Sequence, residues 1–395
     1  MSNVPIIILR EGSEEVKEKE ALTRNVNAMV AIAETVKSTL GPRGMSKMLV
    51  TSLGDAKITN DGAEILNSLD IENVSAVMMV NLAKTIDKEI GDGTTAAVIF
   101  CAQLLKNALE LVEQAVHPQH ITHGYRLATD KALHIITSIA ETISKDDLTV
   151  LKNIAITAMN AKDVADFKEF LADLSIKAVK QVEGEDTFGK VSNIKIVKAP
   201  GKSLTDSKLI NGLYLKKEKT DSSMPNVIKN AKIAVIRRKL AVAKTEFDAQ
   251  IQISSPSDIQ RFLDQEGSVL TKYIAIFKKL GVNMIVNNSD ISDKFGSMLA
   301  REGIAAVKSV GESDYKAVLK ATGATFVDDL TSLSEADLGF AETVTFEKID
   351  KDDYVLFDGC KNPKAVSLVL KGGLEKILDT AEITLKDVLS VVAKV

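Results

Sequence analysis

The chain has no tryptophan, and aromatic residues make up only 4% of its 395 positions. An aromatic platform on which nucleic-acid bases could stack is therefore not expected. Cysteine is almost as scarce, since only Cys101 and Cys360 are present, and they lie far apart in the sequence. Two such thiols exclude a disulfide framework and are typical of a protein in a reducing cytoplasm.

No block of positive charge occurs along the chain. Fifty Lys and Arg residues stand against 54 Asp and Glu residues, which gives a formal net charge of −4. Because binding to a phosphate backbone needs concentrated positive charge, we expect no nucleic-acid partner. Long apolar runs are also missing: none approaches the roughly 18 residues of a membrane span, and the run before Arg10 is too short for a signal sequence. We therefore expect a cytoplasmic protein with no membrane partner.

The residues that are present indicate a globular protein of two or three domains, because 45% of the chain is hydrophobic and its length allows several cores. Apolar residues recur at helical spacing over 21–40, 74–89 and 96–116, so the first 140 or so residues predict a mainly helical region with one β-hairpin. From about residue 228 onward, strand and helix patterns alternate, which favours an α/β layer. The pattern as a whole predicts an α+β multidomain protein.

The segment Gly91-Asp92-Gly93-Thr94-Thr95, directly ahead of a predicted helix, is the most informative in the chain. Two glycines let a ligand approach the backbone, threonine hydroxyls and helix N–H groups can hold anionic oxygens, and Asp92 can hold a divalent cation. This combination suits a magnesium-bound nucleotide phosphate. A glycine-rich turn with threonine as the helix N-cap explains the same residues, so both interpretations stay open.

Three further features have a similar character, although each alone is more often structural. Residues 40–45 (LGPRGM) offer a second backbone loop at a helix end, and residues 60–62 (NDG) place a carboxylate in a turn. Asp387 lies among apolar residues of the last predicted helix, where a lone carboxylate is usually a solvated charge.

Two competing signatures fail. Residues 201–203 (GKS) match the last three residues of the P-loop motif, but Ile196 stands at the position where that motif needs its first glycine. Three histidines have a metal-like spacing, but Pro118 interrupts helical geometry between the first two and no acidic cluster is nearby, so metal binding is not favoured. These histidines are His117, His120 and His123.

Four segments, taken in their order along the chain, resemble the group II chaperonin family. They are residues 38–45 (STLGPRGM), 58–63 (ITNDGA), 91–95 (GDGTT) and 357–365 (FDGCKNPKA). The sequence is most similar to the archaeal thermosome subunits, with the eukaryotic cytosolic chaperonin as a related group, and the resemblance runs through all 395 residues.

The resemblance implies a division into three domains. Residues 1–143 would form the N-terminal half of a mainly helical equatorial ATP-binding domain with a hairpin, and residues 144–212 a small α/β intermediate domain. Residues 213–361 would form an α/β apical substrate-binding domain with a helical protrusion, and residues 362–395 would return to the intermediate domain.

The resemblance also implies roles for individual residues in binding ATP and Mg²⁺. The residues that would hold the phosphates are Leu40, Gly41, Pro42, Asp92, Gly93, Thr94 and Thr95. Lys162 lies in the segment that would sense the γ-phosphate. Asp92 would hold the magnesium ion, Asp61 would lie on the side of the magnesium and the attacking water, and Asp387 would position or deprotonate that water. Such an arrangement is chemically reasonable, because phosphoryl transfer depends mainly on positioning and electrostatics.

The implied function is that of an ATP-dependent chaperone subunit that binds unfolded proteins and assists their folding in a double-ring chamber. ATP hydrolysis would drive closure of a lid, and the ring partners would be identical or related subunits. In the apical part, Ile259, Phe262 and Leu263 are candidates for binding unfolded clients through exposed apolar surface. An ordinary amphipathic helix packed on its sheet explains these three residues equally well.

The sequence departs from the family in its extent and at single positions. Family members continue well past the position of Asp387 with a second equatorial half, which this sequence lacks, and Ile383 and Ser46 replace an Arg and an Asp that are usual there. Two alternatives therefore stay open: a shortened chaperonin-like holdase that binds unfolded chains without ATP turnover, or a fragment of a longer protein.

Overall fold

The computed structural model describes residues 18–50, 54, 56–160, 162, 164–183, 191–241, 269–349, 351–361 and 363–395. The chain separates into two compact units. The first unit comprises residues 1–147 and 157–165, and the second comprises residues 148–156 and 166–395. The predicted mixture of helices and sheets in a multidomain chain is confirmed.

Helices dominate the first unit. They are α1 (Glu18–Lys37), α2 (Gly62–Asn67), α3 (Val74–Glu89), α4 (Thr94–Glu113) and α5 (Pro118–Ile139). Helices α1, α3 and α4 pack on one another around buried aliphatic side chains such as Val36, Met79 and Val98. Two short antiparallel strands, β1 (Lys47–Val50) and β2 (Ala56–Thr59), form the predicted hairpin.

The far end of α5 carries large apolar side chains that this unit leaves exposed. Ile121 near its start is buried, and the Tyr125 hydroxyl donates to the Leu104 carbonyl of α4 over 2.8 Å. Beyond that point Ile135, Ile136 and Ile139 are between 46% and 72% exposed. These exposed side chains form an apolar surface of the first unit.

Among the described residues, α4 is long and apolar enough to cross a membrane by length and composition. A single helix of this kind is weak evidence for a membrane span, since core helices of soluble proteins pass the same test. Here Val98 and Ala102 of α4 lie in the core of the first unit.

The second unit begins with α6 (Leu148–Met159), whose last residues belong to the first unit, and α7 (Lys168–Gln181). A three-stranded sheet follows, with β12 between β3 and β4. Its strands are β3 (Ile194–Pro200), β4 (Lys208–Ile210) and β12 (Val366–Gly372). Strand β12 runs parallel to β3 and antiparallel to β4, and it leads into α11 (Glu375–Val392), which packs on α7 and β12.

A seven-stranded sheet forms the larger part of this unit, in the order β5-β11-β10-β6-β7-β8, with β9 also paired to β6. Its strands are β5 (Leu213–Leu215), β6 (Val227–Ile236), β7 (Met284–Asn287), β8 (Ala305–Val307), β9 (Phe326–Val327), β10 (Gly339–Ile349) and β11 (Asp352–Asp358). The helices in this part of the chain are α8 (269–280), α9 (Asp293–Arg301) and α10 (Glu312–Thr322). Strands β6 to β9 are mutually parallel, as the alternating strand and helix pattern predicts.

Several details differ from the sequence predictions. Residues 208–215 form two strands, β4 and β5, because the chain turns tightly at Gly212, whose N–H donates to the Ile210 carbonyl. The long antiparallel pair β10 and β11 was not predicted, since charged residues such as Glu347, Lys348 and Asp353 interrupt its apolar pattern. Pro118 does not interrupt a helix but begins α5 at its first turn, with His117 as the N-cap.

Candidate functional site

The junction between α3 and α4 shows why the sequence places two glycines there. Gly91 and Gly93 have φ values of 83° and 79°, in the left-handed region that favours glycine. Gly93 is the N-cap of α4, so the suggestion that a threonine caps this helix is wrong. Because glycine has no side chain, the N–H groups of the first turn of α4 receive no side-chain cap.

The side chain of Asp92 forms a hydrogen bond with the backbone at this junction. Its Oδ1 accepts a hydrogen bond from the Gly93 N–H over 2.7 Å. Thr94 and Thr95 then form the first turn of α4, where the partial positive charge of the helix is greatest. The helix terminus, the two hydroxyls and the carboxylate therefore occupy one short stretch of chain.

The start of α2 lies directly against the start of α4. Asp61 is the N-cap of α2, and its Oδ1 accepts from the Glu64 N–H over 2.7 Å. Gly62 follows as the first helical residue, and a Cβ added there would lie 2.2 Å from Thr95 Oγ1. Only glycine allows this approach, which brings the Asp61 turn beside the first turn of α4.

The loop that follows α1 is held in place by backbone hydrogen bonds. The Gly44 N–H donates to the Gly41 carbonyl over 2.8 Å, and the Met45 N–H donates to the Ser38 carbonyl over 2.9 Å. Thr39 is buried within this loop, with its hydroxyl donating to the Val36 carbonyl. These bonds fix the backbone of the loop at the end of α1.

One pocket of about 110 Å³ lies between these three loops. Eight of the residues singled out in the sequence line it: Leu40, Gly41, Asp61, Asp92, Gly93, Thr94, Thr95 and Lys162. Four lining residues were not among the predicted site residues: Thr39, Asn60, Gly62 and Ala96. Pro42 follows Gly41 in the loop but does not belong to the lining as described. The NDG turn contains two of the four, and Thr39 lies in the segment 38–45 that resembles the chaperonin family, whereas Ala96 carries no signal of its own.

The lining and the size of the pocket restrict what it can bind. Pockets for drug-sized ligands measure roughly 300–1,000 Å³, so this one suits an anionic group such as a phosphate rather than a whole nucleotide. Helix N–H groups and hydroxyls can bind anionic oxygens, and carboxylate oxygens are the protein ligands that Mg²⁺ prefers. Asp61 and Asp92 supply two such carboxylates in one lining.

Asp387 lies on α11 in the second unit and is only 6% exposed. The interpretation of this residue as a solvated charge is therefore wrong. Its helical neighbours Leu385, Val388 and Leu389 are fully buried. Burial of a carboxylate is costly unless it interacts with other groups, and Asp387 has such an interaction in the structure. Ile259, Phe262 and Leu263 lie outside the described residues.

Comparison with known proteins identifies the family to which the chain belongs. A sequence profile of the TCP-1/cpn60 chaperonin family matches residues 32–395. Thermosome subunit alpha of Thermoplasma acidophilum is 46% identical over 393 residues, which cover 99% of this chain and 72% of that protein. The thermosome subunit of Pyrococcus horikoshii is 44% identical, and thermosome subunit alpha of Archaeoglobus fulgidus 43%, with the same coverage. The chain belongs to the TCP-1/cpn60 chaperonin family.

Proposed function

We propose that the chain is an ATP-dependent chaperonin subunit that binds unfolded proteins and assists their folding within a ring of subunits. The observation that carries this proposal is the pocket formed by the three loops, in a chain that belongs to a chaperonin family. Family membership favours this function over a holdase without ATP turnover.

The residues of the pocket fit the phosphate end of ATP together with Mg²⁺. The first-turn N–H groups of α4 and the hydroxyls of Thr94 and Thr95 would bind phosphate oxygens, and Asp92 would hold the metal. Bound Mg²⁺ would neutralise charge on the phosphates. Asp61 already accepts the Glu64 N–H with Oδ1, which leaves Oδ2 for a water on the magnesium side.

Two further residues complete the proposal. Lys162 lines the same pocket, and we assign to it a contact with the terminal phosphate. Asp387 would position or deprotonate the attacking water, a task that suits a carboxylate held in place by a packed helix.

The proposal extends to domains, partners and location. Residues 1–143 would serve as the equatorial domain, 144–212 and 362–395 as the intermediate domain, and 213–361 as the apical domain. The exposed apolar residues of the first unit are consistent with contacts to further polypeptide in an assembly. Unfolded proteins would be bound by the apical part, and the protein would act in the cytoplasm.

The proposal is tested by measuring phosphate release from saturating Mg-ATP by the purified chain. We expect turnover that falls by about a hundredfold or more in Asp387→Asn, because this substitution keeps the shape of the side chain but removes the base. Asp379→Asn is the matched control, since it makes the same chemical change on the same helix at a partly exposed position.

Asp379→Asn should retain turnover near that of the unmodified chain. The absence of phosphate release by the unmodified chain would contradict the proposal. Equal losses in the two variants would instead mean that Asp387 has no special role in the reaction.

A further inference from the structure

One face of strand β2 contacts the turn that carries Asp61. Side chains alternate between the two faces of a strand, so Lys57 and Thr59 lie on the same face of β2. Thr59 is buried, and its Oγ1 accepts a hydrogen bond from the Asp61 N–H over 3.2 Å. Lys57 forms an ion pair with Glu64 in the first turn of α2. Two side-chain contacts therefore connect this strand face to the start of the helix.

The first turn of α2 also sets the orientation of the Asp61 carboxylate. The Glu64 N–H donates to Asp61 Oδ1 over 2.7 Å, and the Ile65 N–H donates to the Asp61 carbonyl over 3.0 Å. Glu64 thus bonds to Asp61 through its backbone and to Lys57 through its side chain. Because both bonds involve one residue, a displacement of Glu64 would also displace the carboxylate of Asp61.

The Glu64 carboxylate depends on Lys57 for its charge partner. The Glu64 side chain is only 19% exposed, whereas that of Lys57 is 50% exposed. Glu64 Oε1 pairs with Lys57, while buried Oε2 has no hydrogen-bond partner among the groups that the structure describes. A largely buried carboxylate is costly without an opposite charge. Removal of Lys57 should therefore disturb this turn more than removal of the Glu64 charge.

These contacts matter for hydrolysis because Asp61 would hold a water on the magnesium side with Oδ2. A misplacement of about 1 Å can slow a reaction that depends on positioning by roughly a hundredfold. Lys57 and Glu64 do not belong to the pocket lining as described, so they would act only through Asp61. We propose that the Lys57–Glu64 ion pair is a positioning element for Asp61 in magnesium-dependent ATP hydrolysis. This role rests on the proposed function, whereas the hold on Asp61 can be tested without nucleotide.

The first test is hydrogen exchange of the Asp61 and Glu64 amides in the full chain without nucleotide. The double variant Lys57→Met/Glu64→Gln removes the ion pair without changing the net charge. We expect both amides to exchange at least about fivefold faster, because the pair no longer opposes local opening of the turn. Lys57→Met alone should accelerate exchange further, since it leaves the Glu64 carboxylate without its partner. Lys57→Arg keeps the cation and should restore slow exchange.

The second test is phosphate release measured against the concentrations of Mg²⁺ and ATP, with urea denaturation showing that each variant is folded. The double variant should need about threefold more Mg²⁺ for half-maximal turnover and lose about tenfold in maximal turnover, because Asp61 no longer holds the water firmly. Half-saturating ATP at saturating Mg²⁺ should stay unchanged, since the phosphate-binding groups lie on α4. A loss of stability alone would not change the Mg²⁺ requirement.

The matched control is Lys37→Met/Glu34→Gln, which makes the same chemical change at an exposed ion pair of 2.8 Å on α1. It should behave as the unmodified chain in both tests. Unchanged exchange of the two amides in the groove-free comparison of double variant and unmodified chain would overturn the proposal, as would equal effects in the double variant and the control.

Faster exchange with an unchanged Mg²⁺ requirement would also overturn the proposal, because the pair would then stabilise the turn without a part in hydrolysis. If the unmodified chain released no phosphate, the proposed function would fail, and with it the role of the pair in hydrolysis. The exchange measurement would still decide whether the ion pair holds Asp61, so the two failures can be told apart.

Discussion

Replacing Gly62 by alanine tests the close approach between the turn at Asp61 and the start of α4. The added Cβ would lie 2.2 Å from Thr95 Oγ1, 3.2 Å from Thr95 Cβ and 3.3 Å from Thr95 Cα. The shortest of these distances is more than an ångström below ordinary van der Waals contact. Rotation of the Thr95 side chain cannot relieve the two contacts nearer the backbone, so α2 or α4 must move.

The cost of this overpacking is about 1–3 kcal/mol in the free energy of unfolding. It is measured by urea denaturation followed by circular dichroism, with hydrogen exchange of the α2 and α4 amides to assign the loss to the first unit. Adding Thr95→Ala removes the shortest contact and should recover part of the loss. The coupling between the two positions is then read from a double-mutant cycle.

Gly124→Ala is the matched control, because it is the same substitution within α5 and its Cβ would meet nothing within 4 Å. It should stabilise the first unit by up to about 1 kcal/mol, since alanine is the better helix former. The reasoning would be refuted if Gly62→Ala were as stable as the unmodified chain, or if Thr95→Ala did not change its effect.

Three further predictions concern the Asp61 cap, the Cys360 thiol and α5. Asp61→Ala should destabilise the first unit by about 1 kcal/mol by removing the acceptor of the Glu64 N–H, whereas Asp61→Asn should cost less in the same urea experiment. Burial raises the pKa of the Cys360 thiol to about 12, so at pH 8 Cys360 should react with a disulfide reagent only on unfolding; equal labelling in the native and unfolded protein would contradict this. Replacing exposed Ile135, Ile136 and Ile139 together by glutamine should reduce binding of a hydrophobic dye without loss of helix content, and unfolding of this variant would show that these side chains are buried.

The sequence predicted most helices because their apolar spacing is local information. The break between α3 and α4 is an example, since Gly91 and Gly93 mark a left-handed backbone that few other residues adopt. The hairpin β10–β11 was missed, because its pairing of Thr343 with Asp358 and Ile349 with Asp352 depends on a sheet that local hydropathy does not reveal.

The candidate site could be predicted only in part. Each loop carries its own signal, namely glycine at a turn, aspartate at a cap or threonine at a helix start. Their assembly around one pocket depends on packing between segments far apart in the chain, including the contact of Gly62 with Thr95. Thr39 lies in the segment 38–45 that resembles the chaperonin family, but its place in the lining follows from the backbone bonds of the loop after α1.

The native mass of the purified protein, measured with and without Mg-ATP, tests the central claim most directly. A subunit of 42.6 kDa that acts in a ring should be found in a particle of many subunits. A 42.6 kDa monomer under both conditions would contradict the proposed ring-forming chaperonin.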